Sequence, residues 1–140
     1  MHSGAARHKL GNMRRIDGDT FGRWSLRLDA AYCAVLGSVV ALTAGPLAQG
    51  VALPPLVIAA AGVAVVVWAG GVWLMLARLP LRRALGIVMI ANVLAALAVG
   101  FVSATAATAL IVGAVLAVAV DIALFAASQA IALRVLPARG

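Results

Sequence analysis

Asp121 is the residue of this 140-residue sequence whose position most strongly suggests chemistry. It lies close to the middle of an apolar stretch at 107–133, where insertion scales place an aspartate at roughly +2.5 to +3.5 kcal/mol. No Lys or Arg lies within an apolar stretch to pair with it. Desolvation therefore favours the neutral acid, which donates one hydrogen bond. A residue placed in this way could carry a proton or neutralise a cation.

The same aspartate also has a purely structural interpretation. A protonated Asp121 would hydrogen-bond to a neighbouring helix, through Asn92 or a hydroxyl group, and hold the helices together. A third interpretation is a lipid-facing carboxyl with no role at all. An Asn at this position keeps the hydrogen bond but does not titrate, so Asp121→Asn separates the first two hypotheses.

Five further polar residues lie within the apolar stretches, and their depths predict that they meet in the cytoplasmic half of the membrane. They are Asp29, Tyr32, Asn92, Ser128 and Gln129. Gln129 lies two helical turns from Asp121 on the same face, which predicts a polar seam from the midplane towards the cytoplasm. The alternative is that each forms a single interhelical hydrogen bond worth about 0.6 kcal/mol. Asp29 could also pair with Arg27 or favour a helix N-terminus.

The elements that position these residues are four apolar stretches, each long enough for the ~20 residues of a membrane-spanning helix. The predicted spans are 28–48, 53–77, 84–104 and 107–133. With 65% hydrophobic and 11% charged residues, the chain lies outside the composition of soluble globular proteins. The sequence therefore predicts an all-α membrane protein, a four-transmembrane-helix bundle formed by residues 28–136.

Residues 1–27 are predicted to be a basic cytoplasmic tail, mostly disordered, because they are polar and punctuated by Gly, Asn and Asp. Towards the end of this tail, Phe21, Trp24 and Leu28 recur at helical spacing. A short amphipathic helix at 20–28, lying at the lipid headgroups, is therefore predicted. The basic tail is also expected to attract anionic lipid headgroups, at ~1 kcal/mol per basic residue near the surface.

The distribution of positive charge predicts the orientation. The tail holds six Lys and Arg residues, the three loops hold none, three and none, and the C-terminus holds two. Because cytoplasmic segments retain positive charge, both termini and the middle loop are predicted to be cytoplasmic, in a cell (inner) membrane. Basic residues that flank apolar stretches, without interleaved aromatic residues, argue against a nucleic-acid partner.

The remaining motifs concern packing. Cys33 is the single cysteine, so no intramolecular disulfide or cysteine-based metal cluster can form, and no cofactor or metal is predicted. Small residues recur every fourth position along three of the predicted helices, a spacing that lets membrane helices approach closely. These stripes are Gly37, Ala41 and Gly45; Ala96, Gly100 and Ala104; and Ala109, Gly113 and Ala117, the last continuing to Asp121.

Three short motifs carry a resemblance to a known family. They are Leu28-Asp29-Ala30, Ala91-Asn92-Val93-Leu94 and Phe125-Ala126-Ala127-Ser128-Gln129. With these motifs the chain resembles, over residues 26–136, the small four-helix integral membrane proteins common in actinobacteria. The resemblance implies the fold and an inner-membrane location but no activity. Asp121 is not part of the family pattern.

Two functional hypotheses follow. The first is a structural or accessory membrane protein that acts through helix–helix contacts with a second copy or with another membrane protein. The second is a small proton-coupled exporter of cationic or hydrophobic compounds, with Asp121 as the titrating residue. Small multidrug exporters place their carboxylate in the first helix, where this chain has only Asp29. An enzyme is not predicted, because one carboxyl at mid-membrane is too few groups for catalysis.

Overall fold

The structure, a computed structural model, describes the backbone of residues 3–136 and the side chains of residues 18–136. It contains five helices: α1 Ser3–Leu42, α2 Ala44–Ala48, α3 Pro55–Arg78, α4 Leu81–Ser103 and α5 Ala109–Val135. Four segments are long and apolar enough to cross a membrane: Gly18–Leu42, Pro55–Arg78, Leu81–Ser103 and Ala109–Val135. The predicted all-α class with four membrane-spanning helices is confirmed.

Helices α3, α4 and α5 begin and end within three residues of the predicted spans. The breaks between them have local causes. Helix α3 begins at Pro55, and α4 begins at Leu81, directly after Pro80. A proline at the start of a helix costs no hydrogen bond, because the first backbone N–H groups have no acceptor within the helix. Thr108 caps α5, since its hydroxyl accepts a hydrogen bond from the Ile111 backbone N–H at 3.3 Å.

The first helix differs from the prediction. Instead of a mostly disordered tail and a separate helix at 20–28, one helix runs from Ser3 to Leu42 and continues without a break through the predicted start of the span at Leu28. Gly22, Ser25, Leu26 and Asp29 follow one another at helical spacing and are buried against the bundle. Because most of these buried residues are small or polar, the sequence did not indicate that this face packs against other helices.

The four long helices form two tightly packed pairs, α1 with α3 and α4 with α5. Helix α1 also contacts α4 and α5, whereas α3 and α5 make no contact among the described residues. The α1–α3 pair is closest at two glycines, because a Cβ added to Gly37 or Gly62 would lie 2.6 Å from the other residue's carbonyl oxygen. The predicted stripe is thus used at Gly37 and Ala41, but not at Gly45, which has no neighbour within 4 Å of an added Cβ.

An apolar core lies towards the end of the bundle that holds Arg78, Arg82 and Arg83. Its buried members come from all four long helices: Leu26, Ala30, Val72, Ala84, Leu85, Val88, Ala132 and Leu136. Outside this core most of each span is exposed, and large apolar side chains cover the outer surface. An apolar exterior of this extent is what a lipid-facing bundle requires.

The opposite end of the bundle is joined by a short backbone contact between its two loops. Val51 and Ala106 form an antiparallel bridge, and the Ala107 N–H donates to the Gly50 carbonyl at 2.9 Å. Each loop belongs to a different helix pair, so the bridge connects the α1–α3 pair to the α4–α5 pair at this end.

Candidate functional site

Asp29 is the centre of a buried polar cluster that joins three helices. Its Oδ2 accepts hydrogen bonds from Asn92 Nδ2 on α4 at 2.7 Å and from Gln129 Nε2 on α5 at 2.8 Å. The two amides also contact each other, with Asn92 Nδ2 3.4 Å from Gln129 Oε1. The exposed fraction is 2% for Asp29, 3% for Asn92 and 0% for Gln129. The cluster therefore lies within the protein and not at its surface.

The second carboxyl oxygen of Asp29 faces a thiol. Cys33 follows Asp29 by one helical turn, and its Sγ donates to Asp29 Oδ1 at 3.6 Å. The cysteine is half-buried, in the position expected for a small packing residue, but it also gives this oxygen a weak donor. Each oxygen of the Asp29 carboxyl thus has a partner within the chain.

The cluster lies within the helices that are long and apolar enough to cross a membrane. Asn92 is the central residue of α4, eleven residues and about 16 Å from each end at 1.5 Å per residue. The partners predicted for Asp29, Arg27 or a helix N-terminus, are not the ones observed, because α1 continues through Asp29 and the amides of Asn92 and Gln129 donate to its carboxyl.

Asp121 belongs to a second polar group on the outside of the bundle. Its Oδ2 accepts a hydrogen bond from the Tyr32 hydroxyl at 3.0 Å, and Asp121 itself is exposed. The Tyr32 ring packs against Phe125, one turn beyond Asp121, with 5.4 Å between ring centroids. Of the two partners predicted for Asp121, Asn92 or a hydroxyl group, the hydroxyl group is the one observed, because the Asn92 amide donates to Asp29.

A groove lies between α1 and α5 on this outer side, with a volume of about 590 Å³. Asp121 and Tyr32 lie at one end of the groove, and its walls are mainly aromatic and aliphatic. The lining residues are Phe21, Trp24, Ser25, Leu28, Tyr32, Asp121, Leu124, Phe125 and Ser128. Phe21, Trp24 and Leu28, which share the predicted apolar face of the helix at 20–28, form one wall of this groove.

A pair of serines separates the groove from the buried cluster. Ser25 Oγ lies 2.7 Å from Ser128 Oγ, and Ser128 also donates to the Phe125 carbonyl at 2.8 Å. Because the Ser128 hydroxyl has a single proton, Ser25 is the donor in the serine pair. The pair closes the space between α1 and α5 next to Gln129.

The six predicted site residues are therefore divided between two groups. Asp29, Asn92 and Gln129 form the buried cluster, whereas Asp121, Tyr32 and Ser128 line the outer groove. The predicted seam from Asp121 to Gln129 does not form, since Gln129 points into the bundle and Asp121 away from it.

Sequence reasoning missed Ser25 as a site residue and gave Cys33 only a packing role. A signal was present, because Ser25, Asp29 and Cys33 follow one another at intervals of four and so share one helical face. The signal was hidden by the assumption that the first span begins at Leu28.

Neither a protein-family model, nor a curated protein, nor a solved structure matches this chain. Its class is therefore defined by the fold: four helices suited to crossing a membrane, with one polar cluster inside the bundle and one carboxyl on its outer face.

Proposed function

We propose that the chain is a structural or accessory protein of the cell membrane that acts through helix–helix contacts and not through catalysis or transport. The observation that carries this proposal is that the polar side chains of the buried cluster form their hydrogen bonds with one another. Among the described residues, every buried side-chain nitrogen and oxygen has a hydrogen-bond partner within the chain. A carboxyl that accepts from two amides of the same chain holds α1, α4 and α5 in register and offers little to a substrate.

The outer surface supports the same proposal. Two glycines of the predicted small-residue stripes on α4 and α5 are not used within the bundle, since an added Cβ at Gly100 or Gly113 would meet no atom within 4 Å. Close approach between membrane helices depends on such small residues. These faces are therefore available to a second copy or to another membrane protein.

The proposal includes an orientation with both termini and the loop between α3 and α4 in the cytoplasm. The loop arginines support it, together with Arg23 and Arg27, which are exposed on α1 at the same end of the bundle. Gly18 lies beside Val135, so the start of the first span and the end of the last span are adjacent. Basic residues gathered at one end are suited to anionic headgroups of the cytoplasmic leaflet.

A transport assay and a cross-linking assay test the proposal together. The purified chain is reconstituted into vesicles with a pH gradient, and uptake of tetraphenylphosphonium is compared with that of protein-free vesicles. No gradient-driven uptake is expected. In native membranes, a photo-cross-linking residue at Gly113 is expected to give a discrete adduct, whereas the same residue at Gly70 on α3, which is equally open, serves as the matched control.

The alternative, a proton-coupled exporter that uses Asp121, gives the opposite results. Uptake would follow the pH gradient, and Asp121→Asn would abolish it while Asp19→Asn, at an exposed carboxyl on α1, would not. That outcome would replace the accessory proposal with the exporter.

A further inference from the structure

The groove between α1 and α5 continues into a straight ridge along α5. Gly113, Ala117, Asp121, Leu124 and Ser128 follow one another at intervals of four, four, three and four, so they lie on one helical stripe. The first four are exposed, and Ser128 lies at the floor of the groove. The stripe covers about 22 Å of helix, most of a ~30 Å hydrocarbon core.

This stripe combines two properties that rarely coincide on a lipid-facing surface. Its upper part is smooth, because Gly113 and Ala117 have almost no side chain. Its middle holds the Asp121 carboxyl, of which only Oδ2 accepts a hydrogen bond from a described residue. Ionisable groups within a membrane pair with one another or line a site, so a carboxyl facing lipid is poorly placed without a partner.

From this surface we propose that the ridge and the groove bind one transmembrane helix of another membrane protein, with a Lys or Arg side chain at the depth of Asp121. The proposal rests on the accessory function proposed above and specifies the partner. The small residues admit the backbone of that helix, and the basic side chain enters the groove to pair with Asp121. The rings of Tyr32 and Phe125 lie beside this position, where aromatic faces also favour a cation.

A second copy of the chain does not supply this partner. Its spans contain no Lys or Arg between Leu28 and Arg78, between Arg83 and Asp121, or between Asp121 and Arg134. Arg23 and Arg27, on the first span, lie at the arginine-rich end of the bundle and not at the depth of Asp121. The amides of Asn92 and Gln129, which lie at suitable depths, are buried and already donate to Asp29. A symmetric dimer through this face would bring two Asp121 carboxyls together, a repulsive arrangement.

The test uses the full chain in phosphatidylcholine vesicles and a synthetic Leu-Ala transmembrane peptide with one central Lys, labelled with a dansyl acceptor. Energy transfer from tryptophan measures binding, and Trp24→Phe identifies the part of the signal that comes from the groove. A matched peptide has Leu at the central position. We expect the Lys peptide to bind about tenfold more tightly than the Leu peptide, a ratio that corresponds to about 1.4 kcal/mol.

Two pairs of variants separate the contribution of charge from that of shape. Asp121→Asn is expected to remove the preference for Lys while it leaves binding of the Leu peptide unchanged, which also shows that the variant is folded. Asp19→Asn should retain the preference. Gly113→Leu is expected to weaken both peptides, whereas Gly70→Leu, at an open glycine on a different helix, should weaken neither.

Three results would overturn the proposal. Equal binding of the Lys and Leu peptides, with Gly113→Leu weakening both, would remove the role of Asp121 and leave the accessory function supported. Displacement of the Lys peptide by dodecylammonium, with no effect of Gly113→Leu, would assign the groove to a small lipophilic cation. Self-association of the chain that depends on both Asp121 and Gly113 would assign the face to a dimer.

Discussion

Gly37 and Gly62 face each other so closely that a Cβ on either would lie 2.6 Å from the carbonyl oxygen of the other. No side chain separates the backbones of α1 and α3 at this point. The contact places α1 against α3 on one side while its Asp29 face remains directed at α4 and α5. The position of the polar cluster therefore depends on the Gly37–Gly62 contact, although no residue of the cluster belongs to that contact.

Gly62→Ala tests this close approach. Its new Cβ would lie 2.5 Å from the Ala41 backbone nitrogen, so the helices must separate. We expect the free energy of unfolding to fall by about 1–3 kcal/mol, the usual cost of overpacking. Gly70→Ala, where an added Cβ meets nothing within 4 Å, should leave it unchanged or raise it by up to about 1 kcal/mol. Titration with a denaturing detergent measures both, and equal effects would contradict the contact.

Asn92→Leu and Gln129→Leu test the polar cluster. Each removes one donor to Asp29 Oδ2 at a fully buried position, so each is expected to lower the free energy of unfolding by about 1–2 kcal/mol. Because the two amides share one acceptor, the double variant should deviate from additivity by more than about 0.5 kcal/mol. Gln49→Leu, in an exposed loop, is the control. Strict additivity would show that the amides do not act on one carboxyl.

The proposed orientation can be measured with cysteines introduced into a Cys33→Ala chain. Gln49→Cys lies at the end of the bundle that carries no arginine, and Arg83→Cys lies at the arginine-rich end. In intact cells a membrane-impermeant maleimide is expected to label the first variant and to reach the second only after permeabilisation. The reverse labelling pattern would place both termini outside the cell.

The bridge between the two loops predicts a disulfide. Antiparallel partners have Cα atoms about 4.5–5.5 Å apart, within the range of about 4.4–6.8 Å that a disulfide spans. Val51→Cys with Ala106→Cys, in a Cys33→Ala chain, is therefore expected to lose both thiols on mild oxidation. The single variants should retain theirs. Failure of the pair to oxidise would show that the loops do not meet.

The sequence allowed the fold class and three of the four spans to be predicted, because Pro, Gly and Arg mark the ends of α3, α4 and α5 clearly. The packing of α1 against the bundle before Leu28 was missed because Arg23 and Arg27 suggest a soluble tail. Only packing shows that Gly22, Ser25 and Leu26 face the bundle.

The polar residues were identified from the sequence, but their pairing was not. Spacing along one helix fixes relative depth, whereas a hydrogen bond between helices also depends on how each helix is rotated about its axis. A modest rotation of α5 decides whether Gln129 or Asp121 faces Asp29. That choice is made by the packing of side chains such as Ala126 and Ala132 against the other helices.

The separation of the cluster residues along the chain has a consequence for membrane insertion during synthesis. Asp29 is synthesised first. Asn92 lies 63 residues after Asp29 in the chain, and Gln129 lies 100 residues after Asp29. When α1 leaves the ribosome, its Asp29 carboxyl has neither amide partner, and a carboxyl within an apolar helix is costly in lipid alone. Arrival of the last helix supplies the second amide and completes the set of donors. A chain truncated before Gln129 lacks the second of these donors, so the Asp29 carboxyl distinguishes an unfinished molecule from a finished one.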